Sequence, residues 1–208
     1  RDYKVTGVQT CALPILEILR EPIESGQIVI SRAARQATFP ARFQLVTAMN
    51  PCPCGLSGDE SGRCYCSAEQ ITRYRNRVSG PLLDRIDIQV EVLRPKTGIL
   101  RQSSEEVESS DHVRERVIQA RKIQCQRAGK CNALMDNGEL DSFCQLDGPS
   151  MQLLEKAIEG LFLSPRASHR ILKVSRTIAD LDLSDKICAE HVAEAISFRQ
   201  LNSLQACL

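Results

Sequence analysis

Cys52, Cys54, Cys64 and Cys66 stand within residues 50–66, NPCPCGLSGDESGRCYC. Four thiolates are enough to close a tetrahedral zinc site, and structural sites of that kind contribute roughly 10–16 kcal/mol of apparent binding free energy in small peptides. The two C-x-C pairs are tighter than the usual C-x2-C knuckle, and the adjoining prolines restrict Cys52 and Cys54. Zinc, reduced free thiols and an iron–sulfur cluster are therefore three open readings of the same donor set. Two arginine groups could do different work. Arg32 and Arg35 lie in IVISRAARQATF, with no acidic residue from Gln27 to Arg42, and Arg73, Arg75 and Arg77 follow the cysteine loop. Residues two apart on a helix do not share a face, so the second group is the weaker candidate for a phosphate backbone.

Composition limits the setting. A formal charge of +1 excludes a general polycation, so nucleic-acid contact must come from local patches. No apolar run approaches the roughly 20 residues that span a bilayer, and no basic stretch followed by an apolar core opens the chain. Cys125, Cys131, Cys144, Cys188 and Cys207 are scattered through helix-like segments and read as reduced structural thiols of a cytoplasmic protein.

The elements that must position these residues follow from periodicity and punctuation. Residues 1–15 show neither period, and VTGVQTCALPI resembles the translation of a sequencing adapter; they are set aside as a scar. Leu16, Leu19 and Ile23 have helical spacing up to the break at Ser25-Gly26, after which Ile28 and Ile30 alternate as a strand. A second short strand runs toward Phe39, and the apolar run 43–49 predicts a strand buried on both faces, ending at Asn50. Ser67 and Gln70 form a capping-box pattern that opens a helix, SGPLLDR a short helical turn, and Ile86, Ile88, Val90 and Val92 an alternating strand. Residues 96–110 read as a polar linker. Beyond them the pattern is helical: Val113, Val117 and Ala120 on one face, Leu153, Leu154, Ala157, Ile158 and Leu161 on another. Ser164-Pro165 is an N-cap before a stripe of Ile171, Leu172, Val174, Ile178 and Leu181, and Val192, Ala193 and Ile196 form a last helix. The organisation expected is a partial α/β core over 16–95, a helical domain over 111–200 and a tail over 201–208.

Read singly, Asn50 is a turn residue before Pro51, and Arg85 between Asp84 and Asp87 is a surface ion-pair member. Read in order, ISRAARQATFPARFQLVTAMNPCPCG, SGPLLDRIDIQVEV and SPRASHRILKVSRTIADL resemble the AAA+ ATPases of the magnesium-chelatase-like group, most closely its YifB/ComM family, over residues 16–200. The resemblance implies a parallel-sheet AAA+ core with a β-hairpin insert and an all-α lid. It implies that Asn50 is the sensor-1 amide orienting the attacking water, and that Arg85 is an arginine finger acting in trans within a hexameric ring. It implies that Arg166, with Arg170 as the weaker candidate, is the sensor-2 arginine touching the nucleotide. ATP and Mg2+ are the implied ligands. The hairpin with Arg32 and Arg35 resembles the pre-sensor-1 hairpin that points into the channel of DNA motors. The cysteine loop becomes an insertion after sensor 1, which could stiffen that connection or touch DNA.

The sequence departs from the family in having no G-x-x-x-x-G-K-[ST] loop and no acidic strand end before Leu16. The expectation is a C-terminal fragment, inactive toward ATP by itself and poorly soluble. Its parent would be an ATP-driven DNA helicase or branch-migration motor of the ComM type. Two alternatives stay open: the ATPase subunit of a magnesium-chelatase-like complex, and a non-enzymatic zinc-binding or nucleic-acid-binding module.

Overall fold

A computed structural model describes residues 17–32, 35–59, 62–92 and 108–199. The expected scar at 1–15, most of the linker and the tail lie outside them. The chain divides into two units, one ending at Ile86 and the other beginning at Asp87.

In the first unit, helix α1 (Arg20–Ser25) stops where the sequence says it should. Gly26 takes a left-handed φ of 67° and its N–H donates to the Pro22 carbonyl at 3.0 Å. Strands β1 (Gln27–Arg32) and β2 (Arg35–Pro40) then pair antiparallel, from Gln27 opposite Pro40 to Arg32 opposite Arg35. Ile28 faces Phe39 and Ile30 faces Ala37, yet every strand residue is exposed. Helix α2 (Ala68–Arg75) carries the expected capping box: Gln70 N–H donates to Ser67 Oγ at 3.2 Å and Ser67 N–H to Gln70 Oε1 at 3.0 Å. Helix α3 (Gly80–Leu83) is a single turn capped by Ser79 and started by Pro81.

Two expected strands do not form among the described residues. Residues 43–49 and 86–92 carry no strand ladder, and Val46 and Val92 are 83% and 87% exposed. A strand is completed by a neighbour's N–H and C=O groups, which periodicity cannot supply. The sheet described is thus a two-stranded antiparallel hairpin, not the parallel core expected.

The second unit is helical: α4 (Ser110–Ala128), a 3-10 turn (Asn132–Leu134), α5 (Asn137–Phe143), α6 (Gly148–Gly160), α7 (Pro165–Leu181) and α8 (Ala189–Ser197). Side chains of Ser109, Asp136, Asp147 and Ser164 accept from backbone N–H groups at four of the helix starts. Leu140, Leu154, Ile171, Ile178, Val192 and Ile196 meet in one core, with α7 at its centre. On α4 only Ala120 and Gln124 are buried, whereas Val113 and Val117 of the expected apolar face stay exposed.

That core also encloses a charged cluster. Asp180, 1% exposed, accepts from Arg127 Nη1 at 3.1 Å, Arg176 Nε at 3.1 Å and Asn132 Nδ2 at 2.8 Å. Arg176 also donates to the Asp185 carbonyl at 2.8 Å and to the Ser184 carbonyl. One carboxylate thereby ties α4, the 3-10 turn and the end of α7 together, and burial pulls the Arg176 guanidinium below its ordinary pKa while Asp180 opposes that. No helix among the described residues is long and apolar enough to cross a membrane.

Candidate functional site

The four cysteines of the 50–66 loop converge. Cys52 Sγ lies 3.3 Å from Cys54 Sγ and 3.8 Å from Cys64 Sγ, Cys54 Sγ lies 3.6 Å from Cys64 Sγ, and all four sulfurs fall within 4.8 Å of one another. A zinc–sulfur bond of about 2.3 Å in a tetrahedron sets sulfurs about 3.8 Å apart, so the donor set fits a tetrahedral thiolate site. Glycines make the convergence possible. Gly55, Gly58 and Gly62 take φ of 76°, 84° and 63°, the left-handed turns that fold the short loop back on itself.

The thiols are unequal. Burial works against the Cys52 thiolate, but the Cys54 thiol and the Ser57, Leu56 and Cys54 backbone groups bond to it and bring its pKa down to about 6. Burial pushes Cys66 up to about 12 and, despite a bond to the Cys66 backbone that favours its thiolate, Cys64 is raised too by burial and by its neighbours. The cluster therefore favours one thiolate, and a cation at its centre is what would ionise the others.

The loop is tied to what flanks it. Arg75 Nε donates to the Pro51 carbonyl at 3.1 Å, Ser57 N–H to Cys52 Sγ at 3.3 Å, and Gly55 N–H to the Cys52 carbonyl at 3.0 Å. A Cβ on Gly55 would sit 3.8 Å from both Cγ and Nδ2 of Asn50, so the exposed carboxamide of Asn50 lies against the cysteine turn. Tyr65, between two of the cysteines, is 82% exposed, and the Arg77 guanidinium stands 5.9 Å from the centre of the Tyr74 ring.

The arginines separate into three settings. Arg32 and Arg35 are exposed and directly opposite each other at the free end of the hairpin. Two like charges held together there gain nothing from one another, which suits an external anion. Arg85 is not the surface pair that its neighbours in sequence suggest. Its side chain is 14% exposed, Nη2 donates to Glu24 Oε2 at 2.9 Å and Nη1 to the Pro81 carbonyl at 2.7 Å. With Arg20 donating to Ser79 Oγ, α1 holds the turn that presents Arg85. In the helical unit, Arg166 is exposed in the first turn of α7, whereas Arg170 is occupied by an ion pair with Asp87. Arg73, Arg75 and Arg77 do not form a strip, since Arg75 is spent on Pro51 and Arg77 lies over Tyr74.

Sequence reasoning took Cys188 as a structural thiol and passed over His191 and Asp182. Cys188 Sγ is 3.3 Å from His191 Nδ1, and His191 Nε2 is 3.2 Å from Asp182 Oδ2, which looks like a nucleophile, base and orienting acid. The sulfur is also 3.7 Å from Nε2, however, so it sits off the axis of the Nδ1 lone pair, and Nδ1 already accepts from the Cys188 N–H at 3.1 Å. The imidazole is a helix cap fixed at both nitrogens and has no lone pair left to act as a base.

Residues 8–100 match the family described as magnesium chelatase, subunit ChlI, and residues 107–199 match its C-terminal family. The chain is 49% identical over 187 residues to "Competence protein ComM" of Haemophilus influenzae, covering 90% of this chain and 36% of that protein. It is 48% identical over 189 residues to YifB of Escherichia coli, covering 91% and 37%, and 38% identical over 193 residues to a protein of Mycobacterium tuberculosis, covering 91% and 38%. The chain thus spans little more than a third of the length of these curated relatives.

Proposed function

Because the chain belongs to the magnesium-chelatase-related family that includes ComM and YifB, we propose that it is the C-terminal part of an ATP-driven AAA+ motor that acts on DNA as a hexameric ring. The observation that carries the DNA reading is the exposed Arg32 and Arg35 pair at the end of a hairpin without a single acidic side chain. Arginines that follow phosphates without reading bases are what translocation along arbitrary sequence requires.

The rest of the site falls into roles under this reading. The exposed run 43–49 supplies a strand of the parallel core, paired by chain that the longer relatives possess, and Asn50 at its end orients the water that attacks the γ-phosphate. Arg85 reaches a neighbouring subunit's nucleotide after leaving Glu24. Arg166 contacts the nucleotide from the lid, and Arg170 anchors the lid to Asp87 instead. ATP comes with Mg2+, which neutralises phosphate charge. Cys52, Cys54, Cys64 and Cys66 would hold a zinc ion, which would supply a cross-link across the loop.

The test uses the full-length protein. Arg85→Ala should lower the ATPase rate by about 10³-fold or more, the size expected of an arginine finger. Replacing both Arg32 and Arg35 by Ala should weaken DNA binding and reduce the slope of log affinity against log salt by about 2. The family description itself favours a second reading, the ATPase subunit of a chelatase-like complex that remodels a protein partner. An ATPase indifferent to DNA, with an unchanged salt slope in the double variant, would select it.

A further inference from the structure

We propose that the four-cysteine centre is a positioning device for Asn50: closing the turn on a metal ion fixes the Gly55 backbone against the carboxamide and so sets the direction of the sensor amide. The inference rests on the metal and sensor readings above and adds the connection between them.

Three observations carry it. Asn50 is two residues from Cys52, and Pro51 between them removes backbone freedom, so a movement at Cys52 is transmitted directly. The carboxamide does not project from an isolated strand end. It lies against Gly55, the residue that follows Cys54 in the turn, at a place where φ is 76° and no side chain intervenes. Without a metal that backbone is held by hydrogen bonds alone, Gly55 N–H to the Cys52 carbonyl, Ser57 N–H to Cys52 Sγ and Arg75 to the Pro51 carbonyl. Hydrogen bonds in an exposed turn exchange with water, whereas a sensor must hold a water to a fraction of an ångström. A fully buried Cys52 bonded to a metal shared with Cys64 and Cys66 converts the Cys52–Gly55 turn into a rigid platform, the outer-shell arrangement by which metal centres orient neighbouring groups. No electron transfer is involved; the ion replaces the thiol protons, which pass to solvent.

The direct test follows the side-chain amide of Asn50 in 15N–1H correlation spectra of this chain, identified by its disappearance in Asn50→Asp, as ZnCl2 is added with zinc stoichiometry read by native mass spectrometry. The expected result is one bound zinc and a displaced Asn50 side-chain NH2 pair in slow exchange, with the Asn132 side-chain amide of the helical unit unmoved as control. One zinc bound with the Asn50 amide unmoved overturns the positioning role and leaves the metal site standing. No zinc bound overturns the metal reading and the inference with it. A double-mutant cycle in the full-length protein then reads the functional coupling at saturating ATP. Asn50→Ala and Cys64→Ser should each lower kcat, on the order of 10²-fold for a misplaced water, with KM little changed, and the double variant should be no slower than the slower single one. Additive losses overturn the coupling; an unchanged kcat in Asn50→Ala overturns the sensor reading on which it depends.

Discussion

Asp180→Ala tests the energetics of the helical unit. The carboxylate is 1% exposed and bridges two guanidiniums, one of which, on Arg176, is itself 2% exposed. Deleting it removes the bonds from Arg127, Arg176 and Asn132 and leaves two cations facing each other in the interior. Breaking a buried charge pair from one side costs about 3–5 kcal/mol. For a small domain losing about 1–3 kcal/mol per molar urea, that is a fall in midpoint of roughly 2 M, a large part of a total stability of about 5–15 kcal/mol. Urea titration followed by circular dichroism reads it. Asp180→Asn, which keeps the size and loses the charge, should fall close to the Ala variant. Replacing Arg127, Arg176 and Asp180 together by Met, Met and Leu should recover most of the loss, because the penalty lies in unpaired charge and not in a missing attraction. A midpoint shift below about 0.5 M for Asp180→Ala, which corresponds to roughly 1 kcal/mol, would refute the account.

Asp147 caps α6 by accepting from Ser150 N–H at 2.9 Å, and the Ser150 hydroxyl and backbone N–H beside it hold its pKa below the usual carboxyl value. Asp147→Ala should lower the thermal midpoint at neutral pH, since one helix-start N–H loses its partner. Because the folded-state pKa is depressed, the stability that Asp147 confers is complete above the ordinary carboxyl range and fades as pH falls through the lowered value, so thermal melts of the two proteins should converge in acid. Gly26→Ala forces a side chain into a φ of 67° with its Cβ 3.4 Å from Arg42 Cγ, and should destabilise by about 1–2 kcal/mol in the same urea assay. Cys125 is exposed, whereas Cys144 is buried and its thiol is pushed up to about 11 by that burial. Maleimide at neutral pH should therefore modify Cys125 in the native protein and Cys144 only after denaturant opens the core, as mapped by peptide mass spectrometry.

What the sequence disclosed was local. Ser67 with Gln70, Ser79 with Pro81, Ser164 with Pro165 and the stop at Gly26 are decided by atoms a few residues apart, and the helices start or end there. The convergence of the four cysteines was legible for the same reason, since the loop is short and rich in glycine. Helix α5 was overlooked because a single buried apolar residue, Leu140, gives no stripe; its capping box at Asp136 and Glu139 was the available signal. The strands over 43–49 and 86–92 depended on partners, and apolar content by itself could not furnish a ladder. Arg176 and Asp180 have the i,i+4 spacing of an ordinary surface pair. Their burial follows from how α4 and the 3-10 turn pack on α7, and the only hint was their place within an otherwise apolar stripe. Arg85 likewise reaches Glu24, distant in sequence, past the acidic residues that flank it.

The absence of tryptophan leaves tyrosine as the emitter at the cysteine loop. Of the three tyrosines, Tyr65 stands outward between two sulfurs and Tyr74 lies on α2, whose Arg75 grips the start of the same loop. Two of the three possible emitters therefore belong to the loop or to the helix tied to it, so that ion uptake, thiol oxidation or DNA contact at the loop should change tyrosine emission without any added dye.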